Sequence, residues 1–233
     1  MFNNYRIYLL DNKKGKERMK YVLLTGASGG LGYELSKYLL DKGYYVVMLY
    51  HNNDNVKDLE DKYENSLAYK IDLTNDDEIN KLNDYLKAHK INIDILINNA
   101  AIENTCDINS KTKDDFMRIY ELNTYVPFKL MNTINYNTCV NISSDNTINM
   151  FDEVSIEYDL SKTALNMLGP IFKKKYPDRI YNTICFGWLD TQMNDYLDDD
   201  MKKDIKFVPI NEACEEIEKL FDNQEMMKII RYQ

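Results

Sequence analysis

At 233 residues, 44% hydrophobic and 29% charged, the chain has the size and composition of one globular domain with a sizeable core, and two domains are not expected. Its 29 basic residues against 38 acidic ones leave a formal net charge of -9, which argues against a nucleic-acid partner, since that needs a basic patch. Two histidines, His51 and His89, give a His-rich metal site or a Ser-His-Asp hydrolase little to work with, so no metal is expected.

Residues 1–18 are polar apart from 7–10 and read as an extension ahead of a single domain spanning 19–233. They have no apolar stretch and no small-residue cleavage site of a signal peptide. A first apolar strand, Tyr21–Leu24, runs into Thr25-Gly26-Ala27-Ser28-Gly29-Gly30-Leu31-Gly32, and an amphipathic helix follows over 31–42. Strand, glycine turn and helix start together offer close backbone approach and unpaired N–H groups to a phosphate, a dinucleotide signal when placed at the head of a β/α chain. Further apolar runs at 45–50, 67–71, 93–97, 139–142 and 180–186 read as strands. Helical patterns occupy 55–64, 76–90, 113–136 and 156–175, and a helix at 212–221 with a strand at 227–230 closes the chain. Strands separated by helices of this length need crossover connections, so the expected fold is α/β: a doubly wound, Rossmann-type parallel sheet of about seven strands covered on both faces. Gly169-Pro170 falls inside the helix at 156–175 and is expected to kink or restart it. No apolar run approaches the roughly 18 residues of a membrane span, so no membrane partner is expected. Cys106, Cys139, Cys185 and Cys214 show no paired spacing, which suits reduced thiols and a cytoplasmic location.

Ligands of such a sheet sit beyond the carboxyl ends of its strands. Polar residues collect there: 26–32, 50–52, Asp72, 98–101, Ser143-Ser144 and 186–191. Tyr158 and Lys162 lie four apart and so share one helix face, where an ammonium lowers the pKa of a phenol and suits it to proton transfer. Taken alone, Tyr-x-x-x-Lys is more often a surface pair on a helix, and Ser143-Ser144 is equally a turn.

Together these motifs resemble the short-chain dehydrogenase/reductases in their compact form, over roughly residues 20–193. Thr25-Gly-x-x-x-Gly30-x-Gly32 is similar to that family's cofactor turn, and Asn98-Asn99-Ala100-Ala101 to its Asn-Asn-Ala-Gly segment. Asn123 matches its helix asparagine, and Ser143-Ser144 with Tyr158-Asp159-Leu160-Ser161-Lys162 its catalytic centre. The run from Asn182 through Gly187 to Thr191 resembles its Asn…Pro-Gly…Thr stretch. The resemblance implies an oxidoreductase moving hydride between a nicotinamide cofactor and a carbonyl or alcohol substrate, such as a 3-oxoacyl thioester, a sugar or a small ketone. It implies Tyr158 as proton donor, Lys162 as its pKa modulator and ribose ligand, Ser144 as carbonyl polariser and Asn123 as holder of a relay water. Gly26, Ser28, Gly29, Gly30, Leu31, Gly32, Tyr50, His51, Asn52, Asp72, Leu73, Asn99, Ala100, Ala101, Gly187, Leu189 and Thr191 would join Lys162 around the cofactor, with Asn98 also lining the adenine pocket. A segment over 192–209, with Met193, Tyr196, Leu197 and Met201, would form the substrate lid, and Trp188 and the loop at 145–156 would add to the pocket wall.

The sequence departs from the family at Ala101 in place of glycine, Phe186 in place of proline, and a Ser144–Tyr158 spacing one residue longer than usual, which keeps Ser143 a lesser alternative. A homodimer or homotetramer is implied; Gly169-Pro170 and a tail without the family's glycine-rich ending weigh against the tetramer. Cofactor choice turns on the end of the second strand, where a carboxylate would accept the ribose hydroxyls of NAD. Here Tyr50-His51-Asn52-Asn53 carries none until Asp54, which favours NADP(H) over NAD(H). The competing reading is a non-enzymatic NAD(P)-binding sensor on the same fold.

Overall fold

In a computed structural model, residues 18–149, 154–194 and 197–232 are described; the extension over 1–17, residues 150–153 of the loop expected to wall the pocket, and Tyr196, expected in the lid, lie outside them. The chain alternates in order: β1 (Tyr21–Leu24), α1 (Gly30–Asp41), β2 (Tyr45–Tyr50), α2 (Val56–Lys62), β3 (Ser66–Lys70), α3 (Asp76–Ala88) and β4 (Ile95–Asn98). Then come α4 (Lys113–Tyr120), a π-helical turn (Glu121–Tyr125), α5 (Val126–Thr133), β5 (Thr138–Ser144), α6 (Asn146–Asn149) and α7 (Ile156–Lys175). β6 (Ile180–Phe186), α8 (Asp199–Lys202), α9 (Ile210–Lys219) and β7 (Met227–Ile230) complete it. All seven strands are parallel in the order β3-β2-β1-β4-β5-β6-β7. The order reverses between β1 and β4, the switch point where such sheets take ligands. Among the described residues no helix is long and apolar enough to cross a membrane.

Alternation along the strands divides the core between the two faces of the sheet. Val22 and Leu24 join Leu35, Leu39, Ile217 and Phe221 on one side. Leu23 joins Leu82, Leu130 and Phe172 on the other. Both strand faces are therefore apolar, which is why the strands read as nearly continuous hydrophobic runs. Leu35 is fully buried on α1, and truncating it to alanine is worth about 3 kcal/mol by the usual cavity cost. Arg18 already belongs to this framework through its contact with Asp94 at 2.5 Å, and Asp94 also accepts from the Tyr21 amide.

Two helical expectations need correction. The stretch expected as one helix over 113–136 is α4 and α5 joined by the π turn. Pro127 is the physical reason: it offers no N–H to the carbonyl four residues back, and the preceding Val126 N–H reaches back five residues to Glu121. Conversely, α7 neither breaks nor restarts at Gly169-Pro170 but runs on to Lys175. Leu165, Gly169 and Phe172 are buried along it, so packing outweighs the lost hydrogen bond.

One buried side chain ties the C-terminal elements to the sheet. Asn182, on β6, donates to the carbonyls of Leu220 (2.8 Å) and Asn223 (2.5 Å), and its Oδ1 accepts from the amides of Glu225 (2.8 Å) and Met226 (3.1 Å).

Candidate active site

The carboxyl ends of β1, β4, β5 and β6 open into one cleft of about 1100 Å³. At its β1 end the backbone shape depends on glycine. Gly26 is left-handed at φ +63°, and a Cβ there would meet the Ala100 Cα at 2.8 Å. A Cβ on Gly32 would lie 2.1 Å from the Gly26 carbonyl oxygen, and one on Gly30 2.8 Å from Thr191 Cβ. Thr25 and Asn99 hold the turn. Thr25 Oγ1 accepts from the amides of Asn99 and Ala100, both at 2.9 Å, and Asn99 Nδ2 donates to the carbonyls of Thr25 (3.0 Å) and Gly26 (3.1 Å). No side chain caps α1 and no acidic residue stands in its first turn, so its positive end faces the cleft uncompensated.

Along the β2 and β3 side, Tyr50, His51, Asn52, Asp72 and Leu73 line the cleft. Asp72 accepts from the Thr74 hydroxyl at 2.7 Å and amide at 3.0 Å. These bonds hold its carboxyl below the usual range against the opposing effect of burial, with His51 adding a smaller pull in the same direction.

At the β5 end, Ser144 faces the cleft and its hydroxyl accepts from the Asn146 amide at 3.3 Å. Ser143 lines the cleft beside it, but its hydroxyl is buried, so Ser144 is the better placed of the pair. Lys162 is 3% exposed, donates to the Ile142 carbonyl at 2.8 Å, and stands 5.5 Å from the centre of the Tyr158 ring. Burial pushes its ammonium down to about 8, while the acidic partners Cys185 and Glu103 act in the opposite direction. Behind it, Asn123 in the π turn exchanges bonds with the Ile102 main chain, both at 2.9 Å, and donates to Ser161 Oγ at 3.0 Å. Thr124 Oγ1 donates to the Ser161 carbonyl at 2.9 Å. The π turn thus grips α7 one residue before Lys162.

The segment expected as a lid leaves and rejoins the body at a fixed point: Leu189 and Val208 form a bridge, and the Val208 amide donates to the Trp188 carbonyl at 2.8 Å. Met193 lines the cleft from it. Among the described residues no group of three His, Cys, Asp or Glu is placed to hold a metal ion.

With this geometry in place, the sequence profile of the short chain dehydrogenases matches residues 20–202. The chain belongs to that family. It is 28% identical to the 3-oxoacyl-acyl-carrier-protein reductase of Rickettsia bellii over 194 residues, 78% of each chain. It superposes on 4-hydroxyisoleucine dehydrogenase complexed with NADH at a TM-score of 0.83 and 24% identity, covering 91% of this chain and 97% of that one. The NADP complex of Pseudomonas aeruginosa RhlG gives a TM-score of 0.83 at 21% identity, over 91% and 94%. Short-chain dehydrogenases are oxidoreductases acting on CH–OH and C=O groups, and this chain is one of them.

In this short-chain dehydrogenase, the residues expected around the cofactor, Asn98 apart, line one cleft together with Ser144, Tyr158 and Lys162. Two expected contributors lie elsewhere. Asn123 sits behind the cleft wall, and Asn98 is buried within the sheet, where its Nδ2 donates to Asn141 Oδ1 at 2.8 Å instead of lining the adenine side. Ile102, Glu103, Thr105 and Leu122 line the cleft without having been singled out. Ile102 follows Ala101 and Leu122 precedes Asn123, so adjacency to a motif is the signal for those two, whereas Glu103 and Thr105 adjoin none.

Proposed function

We propose that this short-chain dehydrogenase interconverts a carbonyl and an alcohol with NADP(H), using Ser144, Tyr158 and Lys162. The observation that carries the reading is the buried Lys162 facing the Tyr158 ring, in a cleft that Ser144 and the glycine turn also line. The uncapped start of α1 suits a diphosphate, and the ammonium of Lys162 suits the hydroxyls of a ribose, so the residues present fit a dinucleotide. When bound, the nicotinamide supplies the hydride acceptor or donor. The chain's own residues do the rest. Ser144 donates to the substrate oxygen and polarises it. Tyr158 Oη gives the proton to that oxygen in reduction and removes it in oxidation. Lys162, kept cationic near neutral pH, favours the phenolate left behind. Asn123 fixes the wall on which Lys162 stands and holds a water for proton return, a reading supported by Pro127 being unable to donate to its carbonyl.

The preference for NADP(H) is supported by the end of β2. His51 and Asn52 line the cleft there, whereas Asp54, the nearest carboxylate in sequence, pairs with Lys57 at 2.9 Å and does not line it. Neighbours bound to NADH and to NADP superpose equally well, so the choice rests on these residues and not on the fold. Four free thiols suit the cytoplasm. Leu160, Met167 and Ile171 form an exposed apolar line along α7, with Met117, Tyr125 and Phe128 exposed nearby in sequence order on α4, the π turn and α5, which supports a homodimer. The test is a fluorescence titration with NADPH and, separately, NADH, followed by a ketone screen under the tighter cofactor. Tight NADPH and weak NADH binding with ketone-dependent NADPH consumption is the expected result. Tighter NADH binding would overturn the cofactor choice, and binding of neither would favour a degenerate site over the enzyme reading.

A further inference from the structure

The helix that carries Tyr158 starts in an unusual way. Ser155 stands at its N-cap, where a serine hydroxyl normally accepts from an amide two or three residues on, and no such bond forms. Its hydroxyl donates instead to Glu103 Oε1, at 2.5 Å, on the loop after β4. Two residues later the helix is held a second time. Lys111 Nζ donates to the carbonyls of Asn104 (2.5 Å) and Val154 (2.6 Å) and stands 2.9 Å from Glu157 Oε2. The Lys111 and Glu157 side chains are 4% and 0% exposed, and neither oxygen of Glu157 meets a donor at hydrogen-bonding angle among the described residues. The ammonium is therefore the counter-charge that lets this carboxylate stay buried.

A buried ion pair is poor evidence for stability, because desolvation of both charges offsets much of their attraction; it is better evidence that a particular placement is being held. Here the placement is that of Tyr158. Ser155 and Glu157 are gripped from one loop, which also walls the cleft through Ile102, Glu103 and Thr105. Glu103 contributes to the field at Lys162 as well, so the loop bears on both members of the Tyr158–Lys162 pair.

We infer that Lys111 is a positioning residue for Tyr158: by holding Glu157 and the Val154 carbonyl, together with the Glu103–Ser155 bond, it fixes the first turn of α7 against the loop over 102–111. This rests on the proton-transfer role of Tyr158 given above. A misplacement of about 1 Å at a reacting group can lower turnover by about a hundredfold, so the clamp acts on kcat and not on cofactor affinity.

Lys111→Met alone leaves Glu157 as a lone buried charge and is expected to destabilise the fold. The informative variant is therefore Lys111→Met/Glu157→Gln, which removes both charges. We expect it to stay folded, with a melting point lowered because the Asn104 and Val154 carbonyls lose their donor, and to bind NADPH within about twofold, with KM for a ketone little changed and kcat lowered about tenfold or more. Ser155→Ala, which strands no fully buried charge, should lower kcat by about threefold on the same pattern. Parental kcat in the double variant, or in Ser155→Ala should the double variant fail to fold, overturns the inference. So does a loss of kcat matched by an equal loss of NADPH-binding sites. Tyr158→Phe run in parallel separates the two possible failures: parental kcat there sinks the proton-transfer reading and this inference with it, whereas parental kcat in the clamp variants alone sinks only the clamp.

Discussion

The two ends of the cleft are built by opposite means. At the β1 end the site is made by atoms left out: Gly26, Gly30 and Gly32 stand where a single added carbon would collide with backbone or with Thr191. At the β5–α7 end it is made by polar groups forced in, with Lys162, Glu157 and Asn123 all almost fully enclosed. The first kind of site is defined by shape and costs the fold mainly backbone entropy. The second is defined by charge, and the fold must desolvate what it places there. The first should therefore fail through cofactor binding when an atom is added, and the second through turnover when an atom is taken away.

The sharpest contrast should come from Tyr158→Phe, which deletes one oxygen. Initial-rate kinetics should show kcat down by about a thousandfold, within the range for losing a general acid or base, with the NADPH Kd held within about twofold. A weakened Kd of comparable size would erase the distinction. At the other end, Gly32→Ala adds one carbon 2.1 Å from the Gly26 oxygen and should weaken NADPH by about a hundredfold, or about 2.7 kcal/mol. Gly29→Ala is the matched control, since its Cβ would come no closer than 3.5 Å to the same oxygen, and titration should find it within about threefold of the parent.

Lys162→Met tests the cost of the charged end directly. The lysine is pushed down from 10.5 to about 8, so the folded protein resists a proton that the unfolded chain accepts. That penalty is fully present below pH 8 and disappears as the pH rises towards 10.5, where stability of the parent increases. The variant should therefore be more stable below pH 8, on the order of 2 kcal/mol after the lost bond to Ile142 is allowed for, and denaturant melts should converge near pH 10. A variant less stable at pH 6 than at pH 10 relative to the parent would reverse the sign and break the argument. Apart from the Gly29→Ala control, the smallest effect is expected from His51→Asp at the exposed rim. It should move the NADPH/NADH ratio of kcat/KM towards NADH by about tenfold, and an unchanged ratio would remove His51 from cofactor selection.

The shape-defined end was the more legible in the sequence. Glycine has few other reasons to recur between an apolar strand and a helix, and parallel strands buried on both faces announce themselves as apolar runs, so the sheet and its ligand edge could be read directly. Tyr158 and Lys162 were legible because one helical turn relates them. What lay hidden depends on distance in sequence or on packing. Lys111 and Glu157 meet across many residues with no spacing to betray them. The π turn arises from Pro127 acting inside a pattern that otherwise looks uniformly helical. Pro170 misleads in the opposite direction, because local propensity is overridden where Leu165 and Phe172 bury the helix on the sheet. Asn98 and Asn99 are adjacent, yet one faces the sheet interior and the other the turn; the pleat separates them, and a motif read as a unit does not.

Asn182 links these ends to the far edge of the molecule. Its amide group uses both donor and acceptor capacity on main-chain groups between Leu220 and Met226, and β6, on which it stands, continues into Gly187 and the active-site loop. Trimming the chain after Asp222 would remove the Asn223, Glu225 and Met226 partners of Asn182 and strip the cover from β6, leaving an interior asparagine with most of its main-chain partners gone. The edge strand is thus not an optional margin but part of the solvation of the sheet's own interior, and such a truncation should abolish cooperative melting, where removal of an independent strand would only lower its midpoint.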